Sequence, residues 1–179
     1  GMENLSAIPS SIGAVPVQNV GAYGVEASQL ITSVRVYNGE TTQIETWTAS
    51  QCQFAYRDSI FKHEAGRQAI VLAVTFRLSL KPTPHLTYKD LAEYFGDTTP
   101  TQSAVRAAII AIRGKKFPDW RVVGTAGSFF KNPIISASHA ALLKAEYPEL
   151  PMYDTEIADM KKISLGYILD KVCHLKGYC

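Results

Sequence analysis

The sequence lacks the features that mark disulfide-stabilised and metal-binding proteins. It has three cysteines, Cys52, Cys173 and Cys179, at spacings that suggest no pairing, and four scattered histidines. An odd number of cysteines favours free thiols in a reducing compartment over a disulfide framework. The histidines show none of the spacings of metal ligands. We therefore predict neither a disulfide framework nor a metal site.

Long hydrophobic runs and charge clusters are also missing. No stretch reaches 18 apolar residues and no basic-then-apolar leader is visible, so neither a transmembrane span nor a signal peptide is indicated. The formal net charge of +2 comes from 18 basic and 16 acidic side chains that are interspersed. This pattern predicts no nucleic acid, membrane or obligate protein partner and leaves room for a small anionic ligand. We expect a cytoplasmic protein.

What is present is the composition of a globular protein, 46% apolar and 19% charged over 179 residues. Residues 1 to 29 are too rich in glycine, serine and proline for a long helix. Two β-like segments, "ITSVRVY" and "TTQIETW", flank Asn38-Gly39, a pair that predicts a hairpin. Strict alternation further along predicts a strand with one buried face. That face consists of Ile70, Leu72, Val74, Phe76, Leu78 and Leu80.

The second half of the chain has helical periodicity. After Thr99-Pro100, apolar residues recur at helical spacing up to Gly114. The stretch "SASHAALLKAEYP" predicts a second helix, which begins at Ser136 or Ser138 and stops before proline. A third apolar stripe, from Leu165 to near Gly177, predicts another helix.

The order of these elements predicts an α+β fold. Strands dominate the first 80 residues and helices the rest, which differs from a regular alternation of strand and helix. The expected domain boundary lies between Lys115 and Trp120.

Three stretches contain residues suited to chemistry. In "IPSSIGAVPVQNVGAYG", small residues and a run of backbone N–H groups can cradle a pyrophosphate or the edge of a flat ring. The common alternative is a plain connection rich in glycine and proline. The Walker lysine pattern and a strand-led G-x-G-x-x-G are both absent from it.

The other two stretches each centre on one residue. In "YRDSIFK", Arg57 offers a rigid charged fork for a carboxylate or a developing oxyanion, unless Asp58 or Glu64 simply pairs with it. In "GTAGSFFKNP", Ser128 can deliver a proton if cations and donors, such as the lysine and asparagine that follow, stabilise the alkoxide. The alternative for Ser128 is a turn serine that bonds its own backbone.

Together and in this order, the motifs resemble those of the UDP-N-acetylenolpyruvoylglucosamine reductases, the MurB family, in the subgroup with a tyrosine loop. The resemblance spans essentially all 179 residues. It rests on the stretches "ENLSAIPSSIGAVPVQNVGAYG", "FAYRDSIFK", "LTYKDL", "IRGKKFPD", "AGSFFKNP" and "LKGY". Six ordered motifs are a far more specific signal than any single one.

The resemblance implies a function. Members of that family bind FAD and use electrons from NADPH to reduce the enolpyruvyl ether of UDP-N-acetylglucosamine to UDP-N-acetylmuramate for peptidoglycan. It therefore implies a flavin-dependent oxidoreductase of cell-wall biosynthesis, on which cell shape and cell division depend. It also implies two partial domains. Residues 1–115 would be most of an FAD-binding domain with an antiparallel sheet, and residues 117–179 part of a smaller α+β substrate-binding domain.

The resemblance also assigns roles to residues. Arg57 would polarise the substrate carboxylate and the enolate-like intermediate, and Ser128 would be the proton donor. The residues along the flavin would be Ala14, Val15, Gln18, Asn19, Gly21 and Tyr23. The residues around the substrate's carboxylate, diphosphate or sugar would be Tyr56, Tyr88, Lys116 and Asn132. Tyr88 is alternatively an aromatic packed at the end of a strand, whereas "LTYKDL" favours a mobile tyrosine that covers the substrate.

The sequence departs from the family pattern in several places. The family's second glycine-rich loop and its catalytic glutamate have no counterpart here, so we expect a piece of the enzyme, truncated at both ends. We expect no turnover by the isolated 179 residues. The alternative is a non-catalytic module that binds flavin or a nucleotide sugar. Thr125, Ser10 and Trp120 also differ from the family's usual residues, the first of them in the loop of Ser128.

Overall fold

The computed structural model describes residues 1–81, 83–119, 121–124 and 129–175. The chain forms two compact units, Gly1–Gly124 and Thr125–Cys179. Both units combine helices with antiparallel sheets, so the predicted α+β class is confirmed. Among the described residues, no helix has the length and apolar character needed to cross a bilayer.

The described residues of the first unit form five strands and two α-helices. The strands are β1, Gly21–Ala22; β2, Val25–Glu26; β3, Ile31–Asn38; β4, Gln43–Thr48; and β5, Ala69–Phe76. The helices are α1, Lys89–Phe95, and α2, Gln102–Lys116. Strands β1 and β2 pair with each other, and the larger sheet has the order β4-β3-β5. Its inner face forms the first core, whose buried members are Ala27, Ile31, Val34, Val36, Cys52 and Phe61.

The predicted hairpin is confirmed, with a longer loop than an Asn-Gly turn. Asn38 pairs with Gln43, so the loop between β3 and β4 has four residues, 39–42. The Asn38 side chain accepts a hydrogen bond from the Glu40 backbone N–H at 3.0 Å. Thr42 ends the loop with a positive φ of 56°.

Strand β5 corrects the predicted alternation. Val74 and Phe76 pack against the first core, whereas Ile70 and Leu72 are 60% and 45% exposed. The register against β3 shifts at Leu72, which forms a β-bulge. A bulge inserts one residue and reverses the inward and outward positions on either side of it. The two other residues of the predicted face follow the end of the strand and are exposed: Leu78 and Leu80.

Helix α2 confirms the predicted apolar stripe, and α1 was not predicted. The Thr101 hydroxyl accepts a hydrogen bond from the Ala104 backbone N–H, so α2 begins at Gln102 and runs past Gly114. Tyr88 directly precedes α1, so the alternative that placed it at the end of a strand is wrong. The two helices enclose a second core, whose buried members are Tyr23, Leu91, Val105 and Ile109.

The second unit contains a three-stranded sheet, in agreement with the α+β domain that the resemblance implies, although the residue patterns located none of its strands. Its strands are β6, Ile134–Ser136; β7, Met152–Asp154; and β8, Met160–Ile163, in the order β6-β8-β7. Helix α3, Ala137–Glu146, begins after the Ser136 cap and ends before proline, as predicted. The third predicted helix is a short α-helical turn, α4, Leu165–Tyr167, that continues as a π-helical turn, Ile168–Val172. Its predicted end near Gly177 lies outside the described residues.

The predicted domain boundary falls at the end of α2. The division into compact units comes slightly later, after Gly124. The roles assigned to residues 1–115 and 117–179 stay predictions.

Candidate functional site

The segment that the resemblance assigns to flavin, residues 14–23, folds as consecutive turns that lead into β1. Ala14 closes a short 3₁₀ turn, and the Val15 backbone N–H donates to the Ile12 carbonyl at 3.2 Å. Ala14 and Gln18 are exposed, whereas Val15 packs against the first core. Exposed small and polar groups on a turn leave the backbone accessible to a ligand.

Tyr23 and Gly24 form the two-residue turn between β1 and β2. Their φ angles, 49° and 80°, are both positive, as in a type I′ hairpin turn. The Tyr23 ring is buried and packs edge-on against Tyr88, with the ring centroids 5.1 Å apart. A Cβ on Gly24 would lie 2.7 Å from His85 Nε2, so both the backbone and the close contact require glycine there.

Asn19 is a buried junction between this segment and the loop that carries Arg57. Its Nδ2 donates to Glu26 Oε2 at 2.9 Å and to the Ala55 carbonyl at 3.0 Å. Its Oδ1 accepts from the Ser28 backbone N–H at 2.9 Å. Both amide hydrogens are therefore used within the protein, and the side chain positions the backbone rather than presenting itself to a ligand.

Arg57 lies against the β1–β2 hairpin. Its Nη2 donates to the Gly21 carbonyl at 2.5 Å, and its Nη1 lies 3.6 Å from Glu26 Oε1. The guanidinium also sits over the Tyr56 ring, 5.1 Å from the centroid. Nη1 is buried and makes no hydrogen bond to any residue that the structure describes. A buried donor without a hydrogen bond is costly, so a ligand that reached Nη1 would satisfy it.

Gly21 and Glu26 make this placement of Arg57 possible. A Cβ on Gly21 would lie 2.6 Å from Arg57 Nη1, so a larger residue would displace the guanidinium. Glu26 supplies the ion pair, and the sequence analysis missed it because it considered only Asp58 and Glu64 as partners. The Asp58 carboxylate accepts from the Ser59 backbone N–H and lies 3.1 Å from His63 Nε2.

A second group of predicted residues meets beside α1 and α2. Lys116 Nζ donates to Asp90 Oδ2 at 2.5 Å. This hydrogen bond and the charge of Asp90 raise the pKa of Lys116, and Tyr23 and Tyr88 lie close enough to add to the shift. Because Tyr23 belongs to the turn that follows Gly21, the β1–β2 hairpin contacts both this group and Arg57. The structure therefore brings four predicted residues, Tyr23, Tyr88, Lys116 and Arg57, to one hairpin.

In the second unit, the structure describes only part of the predicted site. Asn132 Oδ1 accepts from the Leu165 backbone N–H at 3.0 Å and so holds the start of α4. Lys131 is exposed. Ser128 and Thr125 lie outside the described residues, as does Trp120.

The open volumes do not coincide with the predicted residues. A cleft of about 360 Å³ lies between the N-terminal turn, Met2–Leu5, and the start of α2, and none of the predicted site residues lines it. A smaller cavity of about 120 Å³ is mostly apolar, and Val15 alone of those residues lines it. We therefore define the candidate site by the polar contacts of Arg57 and Lys116 and not by these two open volumes.

Comparison with known proteins shows what this chain is similar to. No protein-family model matches it. Curated proteins named UDP-N-acetylenolpyruvoylglucosamine reductase match 99% of the chain: the protein of Neisseria meningitidis is 43% identical, and those of Aliivibrio fischeri and Chromobacterium violaceum are both 45% identical. The chain covers 52%, 50% and 53% of these proteins, and so spans about half of their length.

A solved structure matches the fold. The crystal structure of UDP-N-acetylenolpyruvylglucosamine reductase (MurB) from Thermus caldophilus superposes with a TM-score of 0.52 over 91% of this chain and 52% of that one. At 21% identity, this match supports the fold alone. The curated relatives confirm the family resemblance: over nearly its whole length, the chain is a homologue of the UDP-N-acetylenolpyruvoylglucosamine reductases.

Proposed function

We propose that this chain takes part in the reduction of the enolpyruvyl ether of UDP-N-acetylglucosamine to UDP-N-acetylmuramate, a cytoplasmic reaction of peptidoglycan biosynthesis. FAD would be the bound cofactor and NADPH the electron donor. One observation carries the proposal: a guanidinium with unused Nη1 hydrogens is held against the segment assigned to flavin. The names of the relatives support the substrate class. Because the chain spans about half of their length, the activity of a whole enzyme is part of the proposal.

The residues assigned to FAD fit it in part. Ala14 and Gln18 are exposed and can contact a bound ring or pyrophosphate, and the turn around them presents backbone groups. Asn19 and Gly21 would act indirectly, because Asn19 is bonded within the protein and the space beside Gly21 is filled by Arg57. When bound and reduced, the flavin would supply the hydride, which is the cofactor's chemistry.

Arg57 would bind the carboxylate of the enolpyruvyl group through its Nη1 hydrogens. Negative charge spreads onto that carboxylate during reduction, and hydrogen bonds from a charged donor strengthen as the charge grows. The hydrogen bond of Nη2 to Gly21 and the ion pair of Nη1 with Glu26 restrain the guanidinium, and the side chains around the buried Nη1 would move to admit the substrate. Tyr56, stacked under the guanidinium, would line the same position.

Lys116 and Tyr88 would bind the rest of the substrate. Lysine is protonated at neutral pH, and the charge of Lys116, which now pairs with Asp90, suits a diphosphate. Tyr88 is 44% exposed and precedes α1, so its ring can cover a bound nucleotide sugar. In the second unit, Ser128 would give the proton to the neighbouring carbon, and Asn132 would contact the substrate.

The proposal is tested in a full-length reductase. This term means a protein that contains the 179 residues and has the length of the curated relatives. We expect a flavin absorption spectrum that NADPH bleaches and the enolpyruvyl substrate restores, with UDP-N-acetylmuramate detected by mass spectrometry. A bound flavin that the substrate never reoxidises would instead support the non-catalytic binding module.

A further inference from the structure

We propose that Glu26 is a positioning residue for Arg57, which holds the guanidinium plane in the orientation that receives the substrate carboxylate. The inference rests on the proposed function and concerns a residue to which the family resemblance gave no role. Glu26 lies in β2, while Arg57 lies in a loop that is distant along the chain. Their contact is made only in the folded protein.

The geometry shows why one contact would not suffice. The hydrogen bond from Nη2 to the Gly21 carbonyl fixes one nitrogen of a planar group. The rest of the plane can still rotate about that contact, and an arginine side chain loses rotamer freedom when it is ordered. Glu26 Oε1, 3.6 Å from Nη1, opposes this rotation by its charge. The separation exceeds a hydrogen bond, so the Nη1 hydrogens are not bonded to Glu26 and would be satisfied by another carboxylate that reached them.

Glu26 is itself held in place. Its Oε2 accepts the 2.9 Å hydrogen bond from Asn19, which is only 1% exposed. The Glu26 side chain also accepts from the Gln29 backbone N–H, and the Glu26 backbone N–H donates to Gln29 Oε1 in a capping box. A carboxylate held by Asn19 and Gln29 can orient Arg57. Supporting residues of this kind orient the side chains that contact substrates or metals in other proteins.

The first test uses the 179-residue chain and nuclear magnetic resonance of arginine guanidinium groups. We expect separate, slowly exchanging Nη resonances for Arg57, assigned by their loss in Arg57→Lys. Glu26→Gln keeps an oxygen for Asn19 but loses the charge, so the Arg57 resonances should merge through fast rotation. Glu45→Gln is the matched control, because Glu45 accepts hydrogen bonds from Thr41, Asn38 and Trp47 in another part of the unit and should leave them separate.

The second test uses stopped-flow kinetics of the full-length reductase. Glu26→Gln should slow flavin reoxidation by the enolpyruvyl substrate on the order of 10²-fold, the effect of a misplaced catalytic group, and leave reduction by NADPH unchanged. Glu26→Asp, which keeps the charge, should recover part of the loss. A purely structural role would instead weaken flavin binding and slow both half-reactions equally.

The two tests separate failure of this inference from failure of the proposed function. Unchanged Arg57 resonances in Glu26→Gln, or a reoxidation rate equal to that of the unmodified enzyme, would overturn the positioning role. If the unmodified enzyme is not reoxidised by the substrate at all, the proposed function is wrong, and the resonance measurement alone decides whether Glu26 orients Arg57.

Discussion

At the scale of single residues, the site uses backbone conformations that L-amino acids seldom adopt. Asn19, Tyr23 and Arg57 have φ angles of 45°, 49° and 55°. Each such conformation costs on the order of 1–3 kcal/mol and persists only where its surroundings stabilise it. Asn19 is held by its amide hydrogen bonds, Tyr23 by its buried ring, and Arg57 by Lys62 Nζ on its carbonyl. Such angles are not confined to the predicted site, because Ala7, Thr42 and Gln53 of the same unit also have them.

Ser128 carries the most specific prediction from the motifs. In the full-length reductase, Ser128→Ala should leave flavin reduction by NADPH near normal, because that step takes no proton from this side chain. Reoxidation by the enolpyruvyl substrate should slow about 10²- to 10⁴-fold, the effect of a lost general acid. Ser128→Cys should recover part of the loss, because a thiol can also donate. Both half-reactions are measured by stopped flow. If neither is slowed in Ser128→Ala, Ser128 is a turn serine that bonds its own backbone.

Cys52 gives a prediction about stability and pH. Burial raises the pKa of its thiol from the ordinary value of 9.0 to about 11. Between these values the unfolded chain has lost the proton and the folded chain retains it, so the free energy of unfolding falls as pH rises from 9 to 11. Two pH units correspond to about 3 kcal/mol at most.

The Cys52 prediction is checked by urea unfolding at several pH values, followed by the fluorescence of Trp47, which stacks on Phe61 in the first core. Cys52→Ala has no thiol to titrate, so its stability should fall less over the same range. Equal losses in the two proteins would show that the thiol contributes nothing to the pH dependence.

The sequence motifs identify candidate site residues, but they do not show what those residues contact. Arg57 was identified by its motif, but its partner Glu26 was not, because the two are far apart along the chain and only the pairing of β1 with β2 presents Glu26 to it. Asn19 was assigned to flavin, although burial directs its amide to Glu26 and Ala55. Neighbouring charges such as Asp58 are visible in a sequence, whereas tertiary pairs are not.

At the scale of secondary structure elements, length decided what could be predicted. Helices α2 and α3 show several turns of a 3.6-residue period and clear caps at Thr101 and Ser136. Strands β6 to β8 have only three or four residues, which is too short for alternation to be recognised. In β5 the alternation was long enough, but the bulge at Leu72 reversed it, and no sequence signal marks that bulge.

The β5 bulge leads to a matched pair of substitutions. Ile70→Thr replaces a 60% exposed side chain and should change the free energy of unfolding by no more than about 0.5 kcal/mol. Val71→Thr places a hydroxyl against the first core and should cost about 1–3 kcal/mol. Both new residues are β-branched, so strand propensity is preserved. Urea unfolding measures the free energy of unfolding of both variants. A larger loss in Ile70→Thr than in Val71→Thr would mean that Ile70 faces the core, and would contradict the bulge.

At the scale of the whole molecule, the predicted catalytic pair is divided along the chain. Arg57 belongs to the first unit, Gly1–Gly124, and Ser128 to the segment Thr125–Cys179. The interspersed charges and net charge of +2 agree with recognition by a few placed cations such as Arg57 and Lys116 rather than by a broad basic surface. The proposed function would therefore depend on particular side chains, and a substitution at one of them tests it.

The most direct test measures UDP-N-acetylmuramate formed from the enolpyruvyl substrate and NADPH by the full-length reductase and its Arg57→Lys variant. Arg67→Lys is the control, because Arg67 is exposed and lies outside the contacts of the hairpin. We expect product from the unmodified enzyme and from Arg67→Lys. In Arg57→Lys the rate of product formation should fall on the order of 10²-fold or more, because lysine keeps the charge but lacks the two guanidinium nitrogens that bind a carboxylate. No product from the unmodified enzyme, or an undiminished rate in Arg57→Lys, would contradict the account.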